Sequence, residues 1–181
     1  MIQSTQVIEF ARELENLFHG QSSGLDIIGS AAQQGGLRFC HNHPPTAIEM
    51  NWQPQWYLSF CGTQGNTAQC VTQIEQLWHQ APAQAAVIDE QMVASVNTAQ
   101  QALAQPNAAQ GLPLLVQAIQ RAQQCFDQWG LLTPPLQQHI QWLEQHGALA
   151  AKPTGSGGGG YVLSVWDQKP PPLDDGLLIT I

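Results

Sequence analysis

Lys152 to Trp166 reads K-P-T-G-S-G-G-G-G-Y-V-L-S-V-W. The glycine run lies between a short apolar segment, Ala148 to Ala151, and a β-rich one, Tyr161 to Trp166. Glycine takes backbone angles closed to other residues and lets other groups approach the main chain. Successive N–H groups in such a loop form a concavity suited to anions. The stretch therefore reads as a loop beside a phosphate, with a flexible Gly/Ser linker as the alternative. A linker would join two independent units, and only about twenty residues follow it, too few for a domain. Gly155, Gly157 and Gly160 also satisfy G-x-G-x-x-G. A dinucleotide fold would need a helix directly afterwards, whereas residues 161–166 alternate like a strand. Pro170, Pro171 and Pro172 then forbid a helix. No Lys-Ser or Lys-Thr pair follows the last glycine, so the Walker pattern fails as well.

The 181 residues suit one folded body with a real core, and 43 % of them are hydrophobic. Charged residues make up only 10 %, and the formal net charge is −8. The basic residues are Arg12, Arg38, Arg121, Lys152 and Lys169. They build no patch that would grip nucleic acid or an anionic membrane. Backbone N–H groups and a metal must then do much of any phosphate binding. No apolar run reaches the length of a membrane span and no signal peptide opens the chain, so the expected location is cytoplasmic. Cys40, Cys61, Cys70 and Cys125 lack metal or disulfide spacing. Free thiols and no metal site are expected. Cys40-His41-Asn42-His43 could offer soft metal ligands, but its spacing matches no standard zinc site, and it reads as a loop after a strand.

Along the chain, residues 4–18 have the apolar period of an amphipathic helix. Its unpartnered stripe is expected to favour a homodimer. His19 to Gly24 breaks it. There Gly20, Ser22 and Gly24 spell G-x-S-x-G, yet a nucleophile elbow needs a strand before the serine. Asp26 reads as a cap or turn residue, or as a base in a turn. Leu37 to Cys40 reads as a strand and residues 41–54 as a connection. Trp56 to Cys61 is a strand. Thr67 is expected to cap a helix reaching His79, with Val71, Ile74, Leu77 and Trp78 inward. Further helices are expected over 84–104, 111–128 and from Pro134 to about Gly147, the last with Leu136, Ile140 and Leu143 inward. Strands at 161–166 and 177–181 close the chain. The result is an α+β fold, an antiparallel sheet covered by helices on one face.

Two stretches carry a family resemblance. H-G-Q-S-S-G-L-D (His19 to Asp26) with Gly35-Gly36-Leu37 resembles the central motif of the GHMP small-molecule kinases, mevalonate kinases in particular. G-A-L-A-A-K-P-T-G-S-G-G-G-G-Y-V-L-S-V (Gly147 to Val165) resembles the family's C-terminal glycine motif. Ser59 to Thr67 looks like the strand and turn before the first helix of its C-terminal domain. The resemblance covers only the second half of such a kinase. It implies an end of the N-terminal region over 1–50 and a ferredoxin-like C-terminal domain over 51–181. It also implies a separate N-terminal half, the chain being a piece, a split subunit or a truncated gene product.

The resemblance assigns the hydroxyl-proton role to Asp26 and the turn that presents it to Ser23 and Gly24. It puts Thr67 near the substrate. It places Thr154, Gly155, Ser156, Gly157, Gly158, Gly159 and Gly160 near phosphates and substrate. ATP and Mg2+ are implied as cofactors, bound mostly by the missing half, and a small-molecule alcohol as substrate. The sequence departs from the family at Ser22, Ile27, Gln64 and Asn66, and by two extra residues before Gly35-Gly36. Two other readings stand beside the kinase: a non-catalytic binding or regulatory module, and a hydrolase with Ser22 as nucleophile.

Overall fold

The structure, a computed structural model, describes residues 10, 25–31, 35–40, 43–170 and 179–180. The chain divides into two compact units, Met1–Met50 and Asn51–Ile181. Of the opening helix expected over 4–18, only Phe10 is described; it is helical and exposed.

In the first unit, helix α1 covers Leu25–Ala31. Asp26 therefore lies in a helix by its backbone, where the sequence suggested a turn. Strands β1 (Leu37–Arg38) and β2 (Thr46–Ala47) pair antiparallel, Leu37 opposite Ala47. β1 is shorter than the strand expected over 37–40, and β2 lies inside the segment read as a connection.

In the second unit, β3 is Gln55–Phe60, β4 Ala150–Pro153, β5 Tyr161–Trp166 and β6 Ile179–Thr180. The sheet order is β4-β5-β3-β6, with all pairs antiparallel. Tyr57 lies opposite Ser164, Ser59 opposite Val162, and Ala151 and Pro153 opposite Ser164 and Val162. Because side chains alternate along a strand, these residues share one face.

Helix α5 (Pro134–Gln145) lies on that face. Proline at its first position suits a helix start, and positions 136, 140 and 143 follow a helical stripe. Leu136, Ile140 and Leu143 are buried against Tyr57, Ala151, Val162 and Trp166. Two polar bonds cross or lie within this dry layer. Ser59 Oγ, fully buried, lies 2.7 Å from His139 Nε2, and Trp166 Nε1 donates to Ser164 Oγ at 2.9 Å. Burial lowers the His139 pKa.

The other helices are α2 (Thr67–Gln80), α3 (Pro82–Leu103) and α4 (Ala108–Gln128). α3 and α4 form an antiparallel pair joined by a short turn. The buried Ser95 hydroxyl bonds the Ala118 carbonyl at 2.7 Å between them. α4 packs on β4. In α2 the inward residues are Cys70 and the half-buried Ile74 and Leu77. Val71 and Trp78, expected inward, are 48 % and 41 % exposed. The seam follows positions 70, 74 and 77, so those two side chains fall beside it. Among the described residues, no helix is long and apolar enough to cross a membrane.

Candidate functional site

The glycine loop joins the antiparallel strands β4 and β5, and its backbone explains its composition. Gly155, Gly157, Gly158 and Gly160 have φ of +61°, +79°, +74° and +87°. A side chain at these angles is strained, so the loop's path requires glycine.

The loop is tied on two sides. The Gly158 N–H donates to Leu131 O at 2.9 Å, and the Gly160 N–H donates to Thr63 O at 2.7 Å. The Cys61 N–H in turn donates to Gly160 O at 3.0 Å. At its opening, the Thr154 N–H and hydroxyl both donate to Tyr161 O at 2.9 Å. A flexible linker would lack these ties, and that alternative is withdrawn.

The turn before α2 presses on the loop. A Cβ at Gly65 would sit 2.6 Å from Gly157 O and 3.1 Å from Gly159 N. Only glycine permits this approach of two backbones. Asn66, rather than Thr67, caps α2: its Oδ1 accepts the Gln69 N–H at 3.1 Å. Thr67 becomes the first helical residue, and its hydroxyl is free to meet Ser156 Oγ at 3.2 Å. The structure thus brings together Thr67 and the loop, which lie 89 positions apart at this contact.

The loop has unused donors. The N–H groups of Gly155, Ser156, Gly157 and Gly159 take no acceptor among the described residues, and Gly157 and Gly159 are buried residues. Backbone donors are nearly always paired, so these are left for water or a ligand to meet. The positive end of the α2 dipole lies beside them at Thr67. Charge is supplied by Lys152 on β4. Its Nζ donates to Pro153 O at 2.9 Å and lies 5.6 Å from the centre of the Phe126 ring. Burial brings its pKa down to about 8.

The arrangement fits an anion with several acceptor oxygens, as a phosphate group has: four amides, two hydroxyls and a helix N-terminus. Among the described residues, no group of three His, Cys, Asp or Glu side chains gathers to hold a metal. Of the residues picked from sequence, Ser22, Ser23 and Gly24 lie outside the described residues, and of Asp26 only the helical backbone is described. Sequence reading missed Gly65 and Asn66, whose signal is a small residue and a strong cap type directly before the helix. It quoted Lys152 without a role.

Comparison with known proteins now adds to this geometry. Residues 99–171 match the family described as GHMP kinases C terminal. No curated protein matches the chain in sequence. The crystal structure of L. major mevalonate kinase in complex with R-mevalonate superposes with a TM-score of 0.76 at 24 % identity, over 93 % of this chain and 51 % of that one. The Methanococcus jannaschii mevalonate kinase gives 0.66 at 15 % identity, over 92 % and 50 %. A further mevalonate kinase structure gives 0.66 at 17 % identity, with the same coverage. The chain spans about half the length of these solved kinases. Residues 99–171 thus resemble the GHMP kinase C-terminal domain, and the chain has the fold of the C-terminal half of mevalonate kinases.

Proposed function

We propose that this chain is the C-terminal part of an ATP-dependent kinase that phosphorylates the hydroxyl of a small, mevalonate-like alcohol, active together with an N-terminal half. The observation that supports this best is the tied glycine loop with four unpartnered amides beside the Thr67–Ser156 hydroxyl pair. Phosphoryl transfer needs positioning and charge stabilisation more than covalent participation by the protein. ATP, when bound, supplies the phosphoryl group. The amides of residues 155–157 and 159 hold phosphate oxygens, and the Thr67 and Ser156 hydroxyls orient phosphate or substrate. Asp26, presented by Ser23 and Gly24, takes the proton of the acceptor hydroxyl. Mg2+ is left to residues of the other half.

The test is reconstitution with the N-terminal half of a related mevalonate kinase, followed by phosphoryl-transfer assays. In that complex Asp26→Asn should keep the melting temperature and lower turnover by roughly 10² to 10⁴, the usual contribution of a positioned acid or base. Equal turnover of parent and variant removes the role of Asp26. A stable complex that neither binds nucleotide nor transfers phosphate favours the binding-module reading instead.

A further inference from the structure

The sequence puts a lysine, one of only five basic residues in the chain, two positions before the phosphate-loop candidate. In the structure its long side chain folds back on the protein and is part-buried. Lys152 faces the same way as its register partner Leu163, and its ammonium folds back onto the carbonyl of Pro153. Pro153 is the last residue of β4, and Thr154 opens the loop. The other side of the ammonium is the Phe126 ring, in cation–π range. That ring is also the loop's floor, since a Cβ at Gly157 would lie 3.0 Å from it. Ammonium, ring and loop backbone are thus stacked, and the ammonium is bonded to the residue that leads into the loop.

We infer that Lys152 is a positioning residue of the glycine loop: its charged ammonium holds the loop's first turn against the Phe126 ring, and the loop responds to its loss. Among the described residues no carboxylate pairs with this ammonium. On α4, which packs on β4, the titratable groups are Arg121, Cys125 and Asp127. On β5 there is Tyr161, on α5 there are His139 and Glu144, and His146 caps the end of α5. Among the described residues none of them bonds Lys152, and burial is the cause of its lowered pKa. The ammonium is thus neutralised as pH rises through about 8. Neutral, it loses the attraction to the ring. The consequence for ligands rests on the phosphate reading above. An anion in the loop favours the protonated lysine, so binding draws in a proton and weakens above that pH.

The experiment is an NMR pH titration of the chain, following the Lys152 side chain and the Thr154 and Gly158 amides. Inorganic sulfate, whose charge is constant in this range, serves as the anion. Expected are loop amide shifts with a midpoint near 8 that coincide with Lys152. Both Lys152→Arg, which stays charged, and Lys152→Met, which never is, should abolish the inflection. Arginine should keep the shifts of the low-pH loop. Sulfate affinity should fall, by at most about tenfold for each pH unit, above the lysine's midpoint. Loop amides that show no inflection, or one that survives in either variant, overturn the inference. Sulfate bound equally at all pH values also overturns it while leaving the phosphate reading in place. An inflection that tracks Lys152 with no sulfate bound at any pH upholds the inference and removes the phosphate reading.

Discussion

Gly65→Ala isolates the seating of the glycine loop on the turn before α2. The residue is not among those with positive φ, so alanine brings no backbone strain of its own. Its methyl would lie 2.6 Å from Gly157 O and 3.1 Å from Gly159 N. Both are main-chain atoms and neither can swing away, so turn and loop must part by roughly an ångström to restore ordinary contact. The bonds that span this seam are Gly160 N–H to Thr63 O at 2.7 Å and Thr67 to Ser156 at 3.2 Å. An ångström of separation takes both beyond hydrogen-bond range. Overpacking of this kind costs about 1–3 kcal/mol. For a chain of this size, where 1 kcal/mol is worth about 2–4 °C, that lowers the melting temperature by about 2–12 °C. The control is Gly62→Ala, where φ is +87° and nothing lies within 4 Å. It should lose about 1–2 kcal/mol through backbone strain alone and leave the loop amides in place. Thermal melts together with amide spectra separate the two. A Gly65→Ala protein that melts with the parent and keeps its Gly160 amide shift refutes the close seating of loop on turn.

Gly158→Val combines a left-handed φ with a Cβ only 2.7 Å from the buried Cys70 sulfur. It should destabilise by about 3 kcal/mol or more, and a melt unchanged from the parent would show that the loop is free after all. Lys152 binds its proton less tightly folded, at about 8, than at its ordinary 10.5. Between those values the unfolded chain holds more protons, so stability should rise with pH by up to about 3 kcal/mol. Urea unfolding of the parent minus Lys152→Met measures that slope, and a flat difference removes the assignment. With so few cations, and without the N-terminal half, the chain alone should bind Mg-ATP weakly; micromolar affinity by calorimetry would contradict this.

How much was legible in the sequence depended on how local the deciding interaction is. β5 could be read to the residue because Tyr161 to Trp166 alternates between a glycine loop and prolines. The α5 stripe of Leu136, Ile140 and Leu143 was equally plain, since proline fixes the helix start and the period does the rest. Asn66 and Thr67 are both good caps, and one position's choice between them is settled by Ser156, far away in sequence. The same shift explains Val71 and Trp78, which look like core by hydrophobicity and lie beside the seam that Cys70 and Ile74 occupy. β2 is two residues long, in a stretch with prolines on either side, and only its partner β1 makes it a strand. The glycine loop was recognisable as a loop from composition, between two segments of strand character. Its floor and its tether to Leu131 come from tertiary contacts that no local pattern encodes.

The Ser59–His139 bond has a consequence for how the molecule assembles. A helix resting on a sheet through aliphatic side chains alone has several nearly equivalent seats, displaced by a turn. Sliding α5 by one turn would move His139 by about 5.4 Å. It would strand the Ser59 hydroxyl in a dry layer, at about 1–3 kcal/mol. The 2.7 Å contact therefore works as a key in a lock. It adds little to the grip of leucine and isoleucine on the sheet, and it decides which of the available seats the helix takes.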